Sequence, residues 1–204
     1  MRARKRTFLI LDANVLIDFV KCDDTIIKLI CKHVGQIFLA TPIFDEIKEI
    51  DESDCIELGI KLVEPELEQV MLASEKEGPL SFQDKLCLIL AKKEGWTCVT
   101  NDVPLRKRCE SEGVPLIWGI ELICILVESG GLPIEHAKEI ILDIKKLNPK
   151  YITDKIVENA FKRLVFFSSV ITKNSFINSV IGISFYFVYY MGIDVSGYAY
   201  CRMT

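Results

Sequence analysis

Histidine is scarce in this sequence, and closely paired cysteines are missing from it. The 204 residues include only two histidines, and none of the eight cysteines belongs to a Cys-x-x-Cys pair. Protein zinc sites are built from such residues at short spacings, so the sequence argues against a zinc site. Cys87, Cys98 and Cys124 lie inside apolar runs, which is typical of small buried hydrophobic residues. We therefore expect no disulfide framework and a reducing, cytoplasmic location.

An overall positive charge is also missing. The net charge is −4, so binding to nucleic acid would have to come from a local basic patch. The apolar run at residues 8–11 is too short for the core of a signal peptide, and Asp12 follows it directly. Half of the residues are hydrophobic, which is ample for a core, and the length predicts one domain with a short extension.

Short apolar runs alternate with helical patterns over the first 118 residues. Such runs are typical of strands buried on both faces of a parallel sheet, and here they cover residues 8–11, 36–40, 96–100 and 114–118. Helical patterns cover residues 14–33 as one or two helices, 41 to about 50, 81–95 and 104–113. The alternation predicts a three-layer α/β fold with a mainly parallel central sheet flanked by helices.

The pattern changes twice in the second half of the chain. After residue 118 the strands stop, and residues 119–129, 134–147 and 153–164 form a predicted C-terminal helical cap. From residue 165 onward the only charged residues are Lys173, Asp194 and Arg202. We therefore expect one domain at residues 1–164, with its helical cap at about 119–164, and an apolar extension at residues 165–204.

The extension contains an uncharged segment at residues 175–193. Its 19 residues reach the length of a membrane-spanning helix. Asn178, Ser179 and the strand-like run at residues 185–190 favour an extension that does not span a membrane. A membrane anchor and a segment that binds a partner are the alternatives.

Two aspartates follow predicted strands, and two further acids lie near the starts of predicted helices. Asp12 follows the first strand and Asp102 follows the strand at 96–100, so both are expected at the carboxyl edge of the sheet, where open α/β folds bind ligands. Helical spacing puts Asp84 on an apolar stripe and Glu46 at the edge of another. Taken singly, each acid has an ordinary interpretation: Asp12 and Asp102 begin loops or cap helices, Ser81-x-x-Asp84 is a capping box, and Glu46 lies on the surface.

Taken together, the four acids predict a site for a hard cation. Several carboxylates within a few ångströms repel one another unless a cation neutralises them. Oxygen ligands alone select Mg²⁺ or Mn²⁺ over softer metals.

The same segments resemble the motifs of PIN domains. Residues 11–17, LDANVLI, resemble the opening motif, and residues 42–46, PIFDE, resemble the second acidic motif. Residues 81–84, SFQD, and 99–102, VTND, resemble the third and fourth, in the family's order. The resemblance covers residues 8 to about 164, and its helical end is similar to a prokaryotic subgroup near VapC-type toxins.

This resemblance implies a function and a set of site residues. The function is a Mg²⁺- or Mn²⁺-dependent endoribonuclease, often the toxin of a toxin–antitoxin pair, with RNA as its substrate and an antitoxin protein or a second copy of the chain as partners. The acids Asp12, Glu46, Asp84 and Asp102 would be catalytic metal ligands, and Asn14 and Thr100 would support them. The apolar tail has no counterpart in the family pattern.

A basic run, Arg106-Lys107-Arg108, follows Asp102 closely. It is a candidate for binding RNA phosphates beside the metal site. The ordinary interpretation of such a run is a solvated helix face.

Two rival functions stay open at this point. A PIN-like domain without catalysis would act only as a binding module, although the presence of all four acids argues against such a loss. Asp12-x-Asn14 also resembles the Asp-x-Asp of haloacid-dehalogenase-type phosphatases, but Asn14 stands where their general acid would be.

Overall fold

A computed structural model of the chain describes residues 7–75 and 78–181, with side chains as far as Val170. Five strands form one sheet: β1 (Thr7–Leu11), β2 (Gly35–Ala40), β3 (Lys61–Val63), β4 (Thr97–Val99) and β5 (Leu116–Ile117). Every pair is parallel, and the order is β3-β2-β1-β4-β5. The predicted α/β class with a parallel sheet is confirmed. The sheet centre is fully buried, with Leu9, Ile10 and Leu11 of β1 at 0% exposure.

Seven helices accompany the sheet up to β5. They are α1 (Ala13–Asp23), α2 (Thr25–His33), α3 (Thr41–Phe44), α4 (Glu52–Leu58), α5 (Leu67–Ser74), α6 (Phe82–Glu94) and α7 (Val103–Glu112). The connections from β1 to β3 and from β3 to β5 run in opposite directions along the sheet. Because parallel crossovers are right-handed, the two sets of connecting helices cover opposite faces of the sheet, which gives three layers.

The reversal of direction falls between β1 and β4. β1 pairs with β2 on one side and with β4 on the other, and Leu11 lies beside Val99. At such a switch point the two connections leave toward opposite faces and open a crevice at the carboxyl ends of the strands. The residues that follow β1 and β4 therefore lie at the mouth of this crevice.

Among the described residues three helices follow β5, as the helical cap was predicted to do. They are α8 (Gly119–Glu128), α9 (Ile134–Leu147) and α10 (Asp154–Ile181). In the cap, Arg163 of α10 donates to Glu128 of α8 through Nε and Nη2 at 2.6 and 2.8 Å, and to Glu121 through Nη1 at 2.9 Å. These hydrogen bonds tie α10 to α8.

The end of α10 differs from the prediction. The helix was expected to end near residue 164, where the charged residues stop, but it continues to Ile181. The sequence explains the difference, because no glycine or proline occurs between Pro149 and Gly182. The lack of charged residues after residue 164 changes the surface of the helix, but it does not end the helix.

By its internal contacts the chain divides into residues 1–164 and residues 165–204. The second unit starts within α10 with exposed apolar side chains, Val165 at 57% and Phe166 at 67%. No helix among the described residues is both long and apolar enough to cross a bilayer. The strand-like run at residues 185–190, and the segment 175–193 from residue 182 onward, lie outside the described residues.

The segment before α6 also differs from the prediction. The helix expected from residue 42 to about 50 is only the short α3, and i→i+3 turns follow it, with Glu46 N donating to Ile43 O at 3.2 Å and Ile47 N to Phe44 O at 2.9 Å. Ile43, Ile47 and Ile50 are all buried. With this spacing, the three side chains can therefore pack into the core from a turn as well as from a helix. The elements α4, β3 and α5 were not predicted.

Candidate active site

Asp12 lies at the centre of the crevice, directly after β1. Its backbone N–H donates to Val99 O at 3.0 Å, which fixes the end of β1 against β4. The side chain is 6% exposed and makes two hydrogen bonds. Oδ2 accepts from Thr100 Oγ1 at 2.9 Å, and Oδ1 accepts from the Asn14 backbone N–H at 3.4 Å, which caps α1. The carboxylate is thus held by the strand end on one side and by a helix start on the other.

Thr100 connects Asp12 to Asp102. Its side chain is fully buried, and its hydroxyl accepts from the Asp102 backbone N–H at 3.0 Å while donating to Asp12. Asp102 in turn caps α7, with Oδ1 accepting from Leu105 N at 2.8 Å. Both aspartates are therefore positioned by one hydroxyl group.

Asp84 lies in the first turn of α6, one turn before Cys87, whose Sγ is 3.8 Å from the Leu11 carbonyl oxygen at the end of β1. Ser81 and Asp84 form the predicted capping box, with Ser81 Oγ accepting from Asp84 N at 3.1 Å and Asp84 Oδ2 accepting from Ser81 N at 3.1 Å. Ser81 Oγ also donates to Oδ2 at 2.7 Å. The capping bonds use only Oδ2, so capping the helix leaves Oδ1 of Asp84 available for another ligand.

The charges of these carboxylates act on one another. The pKa of Asp12 rises from its ordinary 3.8 to about 6, first because burial disfavours its charged form. The Thr100 hydrogen bond opposes this rise, and the negative charges of Asp84 and Asp102 add to it. Asp12, Asp84 and Asp102 therefore share one electrostatic environment although they come from three separate elements.

Glu46 occupies a different position from the one that the helical prediction gave it. It lies in the turn after α3, its side chain is exposed, and Oε1 accepts a hydrogen bond from Gln83 Nε2. Gln83 precedes Asp84 in α6, so Glu46 reaches the acidic group through a neighbour of Asp84. The prediction that Glu46 stands at the edge of an apolar helix face was wrong, because the helix ends at Phe44.

The structure adds residues that sequence reasoning missed. A pocket of about 80 Å³, which Asp102 lines, brings together α1, the loop after β4 and the loop between α9 and α10. Asp18 of α1 lines it and is 3% exposed, with a pKa raised to about 6 by burial and then by the charge of Asp12. The pocket is lined by Asn14, Asp18, Asn101, Asp102, Asn148 and Tyr151.

Two signals for this pocket were present in the sequence. Asn14 and Asp18 are four residues apart and therefore share one helix face. Asp18 is also the only charged residue in the run at residues 13–20. Asn101 gives no such signal, because its role is structural: its Oδ1 accepts from Gly119 N at 3.1 Å and joins the site loop to the start of α8.

The predicted basic run has three different environments. The Arg106 guanidinium stacks on Trp118, with Cζ 3.3 Å from the ring centroid, and its Nε is buried without a hydrogen-bond partner. Arg108 Nε pairs with Glu112 at 2.6 Å. Lys107 is exposed and makes no ion pair within the part of the chain that the structure describes. Lys107 is thus the member of the run whose charge is most available to a phosphate.

The donor set suits a hard divalent cation. Asp12, Asp84 and Asp102 offer only carboxylate oxygens, which Mg²⁺ and Mn²⁺ prefer, and a cation would offset the burial and the repulsion that together raise the Asp12 pKa. Among the described side chains, no group of three acids, histidines or cysteines is close enough to enclose one ion. The fit to a cation therefore rests on the chemistry and the mutual influence of the carboxylates.

No protein-family model matches the chain, and a search of curated proteins finds no match.

The raised pKa values predict how stability depends on pH without added metal. A carboxyl group with a raised folded-state pKa binds more protons in the folded than in the unfolded state between pH 4 and pH 6, so stability falls as the pH rises through that window. We expect the melting temperature in a chelator to fall from pH 4.5 to pH 6.5 relative to that of Asp12→Asn. Using this difference removes the contributions of the other acids. A constant difference would contradict the raised pKa of Asp12.

Proposed function

We propose that the chain is a Mg²⁺- or Mn²⁺-dependent endoribonuclease of the PIN-domain kind, which hydrolyses RNA phosphodiester bonds with a water molecule that the metal activates. The observation that carries the proposal is that Asp12 and Asp102 follow the adjacent strands β1 and β4, where Thr100 contacts both and the charge of Asp84 acts on Asp12. Three carboxylates at the switch point of a parallel sheet suit a cation and a phosphorylated ligand better than an apolar small molecule. RNA as the substrate comes from the resemblance of the four motifs to PIN domains.

The side chains of the site would have different roles in such a reaction. Asp12, Asp84 and Asp102 would hold the cation, and Glu46, in the turn beside Gln83, would complete the set. When bound, the cation lowers the pKa of a water molecule and stabilises charge on the phosphoryl oxygens. Thr100 keeps Asp12 and Asp102 in fixed orientations, as side chains that hydrogen-bond to metal ligands do in metal sites.

The biological setting rests on the resemblance alone. On that resemblance, the chain would be the toxin of a toxin–antitoxin pair in the cytoplasm. Its partners would be an antitoxin protein and a second copy of the chain.

The direct test is cleavage of a labelled RNA by the purified full chain with Mn²⁺, in parallel with an excess of EDTA. We expect cleavage that requires the metal and that produces internal fragments. RNA binding without cleavage in either condition would instead support the binding module. Hydrolysis of p-nitrophenyl phosphate with no RNA cleavage would support the phosphatase.

The tail gives a second test of the proposal. Removing residues 166–204 should leave Mn²⁺-dependent cleavage within about twofold of the full chain, because the acids and the Arg163 contacts all precede the cut. The removed part of α10 starts with the exposed Phe166. Melting temperature and cleavage rate would be measured for both proteins. An insoluble or inactive truncation would show that residues 166–204 belong to the catalytic domain.

Lys107 is expected to contact the RNA backbone. A groove of about 380 Å³ lies between the loop that leads to Asp84 and the helix that follows Asp102, and Leu80, Val103, Lys107 and Arg108 are among its lining residues. In an Asp12→Asn background, which prevents cutting, Lys107→Ala should weaken RNA binding severalfold and reduce the salt dependence by about one counterion.

The matched control for this change is Lys61→Ala. It removes the same charge from β3, at the opposite edge of the sheet, and should leave RNA binding unchanged. Equal effects of the two substitutions on RNA affinity would mean that binding depends only on the net charge of the protein. The affinity would be measured by fluorescence anisotropy at several salt concentrations.

A further inference from the structure

Asp18 is a buried carboxylate in the pocket that Asp102 also lines. It lies on α1 one turn after Asn14, and both line the pocket together with Asp102. The Asp18 side chain is 3% exposed, and its pKa responds to the charge of Asp12. Asp18 therefore belongs to the same electrostatic group as the carboxylates of the proposed metal site.

The partners of Asp18 do not neutralise its charge. Asn148 Nδ2, in the loop between α9 and α10, donates a hydrogen bond to Asp18 Oδ1. Lys21 is near enough to lower the Asp18 pKa, but its Nζ forms an ion pair with Glu49 at 2.9 Å. Asp18 makes no ion pair within the described part of the chain. A buried charge with one neutral donor is costly, so a purely structural role would be served better by a neutral amide.

This arrangement suits an outer position in a metal site. Mg²⁺ gives up its water reluctantly and usually keeps several bound water molecules, which need hydrogen-bond acceptors around them. A carboxylate that lines the pocket beside Asp102, and that one amide holds in place, is such an acceptor. Because Asn148 belongs to the helical cap, the cap would then take part in the site.

We propose that Asp18, held by Asn148, is a positioning residue that binds the water shell of the divalent cation at the Asp12–Asp84–Asp102 group. This inference rests on the proposed function, since it needs a cation at that group. It extends the site from the sheet edge to the loop between α9 and α10. The charge of Asp18 adds to the attraction for the cation, and the hydrogen bond from Asn148 fixes its orientation.

The test measures Mn²⁺ binding to the full chain, without RNA, by the electron paramagnetic resonance signal of free Mn²⁺. Asp18→Asn should weaken Mn²⁺ binding about tenfold, as the loss of groups that surround the ligands does in other metal sites. Asn148→Ala should weaken it less and in the same direction. Glu139→Gln removes an exposed charge from α9 and should leave binding unchanged. In a chelator, Asp18→Asn should also melt a few degrees higher than the unmodified chain, because a buried charge is lost.

The outcomes separate this inference from the proposed function. Mn²⁺ binding that is lost in Asp12→Asn but unchanged in Asp18→Asn overturns the role of Asp18 and leaves the metal site standing. An unmodified chain that binds no Mn²⁺ overturns both. If Asp18→Asn does not fold, Asn148→Ala decides, since it keeps the charge and removes only the hydrogen bond: weaker Mn²⁺ binding supports the inference, and unchanged binding overturns it.

Discussion

Replacing Asp12 with asparagine should abolish RNA cleavage and yet stabilise the metal-free protein. Cleavage should fall by about 10²–10³-fold or more, because the substitution removes a charged ligand at the centre of the group. The fold should survive, since an amide has nearly the shape of a carboxylate and can still accept the Thr100 hydrogen bond. Buried charged residues that serve function commonly lower the stability of the folded protein.

The sign of the stability change follows from two opposing magnitudes. A pKa of about 6 in place of 3.8 means that ionising Asp12 costs the folded state about 3 kcal/mol at neutral pH. Asparagine avoids this cost but cannot accept from both Thr100 and Asn14, so it gives up the 3.4 Å cap to Asn14, worth about 1 kcal/mol. The net gain of about 2 kcal/mol should raise the melting temperature by roughly 4–8 °C.

Melting and cleavage would be measured for Asp12→Asn beside Asp24→Asn. Asp24 is an exposed aspartate at the N-cap of α2 whose side chain makes no capping hydrogen bond, so its substitution should change neither quantity. A metal-free Asp12→Asn protein that melts well below the unmodified chain would mean that the Asp12 charge is needed for folding. Unchanged cleavage would remove Asp12 from the site.

The central strands and the positions of Asp12 and Asp102 could be predicted because short segments of the sequence carry the information. An apolar run followed at once by a polar residue marks the end of a buried strand, which placed Asp12 after β1 and Asp102 after β4. Ser81 and Asp84 are three residues apart, and the capping box follows from that spacing alone. Parallel pairing then brings strand ends to one edge, so residues far apart in sequence could be expected together.

The rest depends on information that local patterns do not carry. The isoleucines at 43, 47 and 50 fit the core from a helix or from a tight turn, so their spacing could not place Glu46. β3 is an edge strand that begins with Lys61 and is followed directly by Glu64, so it lacks the apolar run that marked the other strands. Asp18 has a local signal in the sequence, but its partner Asn148 lies 130 residues away, and no local pattern joins the two. Such partners are set by tertiary packing.

Replacing Thr100 with valine should reduce both stability and cleavage. Valine has nearly the same shape and fills the same buried space, so the change removes the hydroxyl group alone. Asp12 Oδ2 and the Asp102 backbone N–H then lose partners at 2.9 and 3.0 Å. Leaving two buried polar groups unpaired costs about 2–4 kcal/mol. Losing the orientation of both aspartates should slow Mn²⁺-dependent cleavage by about 10–100-fold.

Two further variants separate the lost hydroxyl from the other effects of the substitution. Thr100→Ser keeps the hydroxyl and should restore most of the cleavage, although the missing methyl group leaves a small cavity and lowers the melting temperature slightly. Thr97→Val makes the same chemical change in β4, away from the carboxyl edge, and should leave cleavage unchanged. The rates would be compared at saturating Mn²⁺ and over a Mn²⁺ titration. If valine and serine slow cleavage equally, the hydroxyl does not position the aspartates, and Thr100 serves only to fill the core.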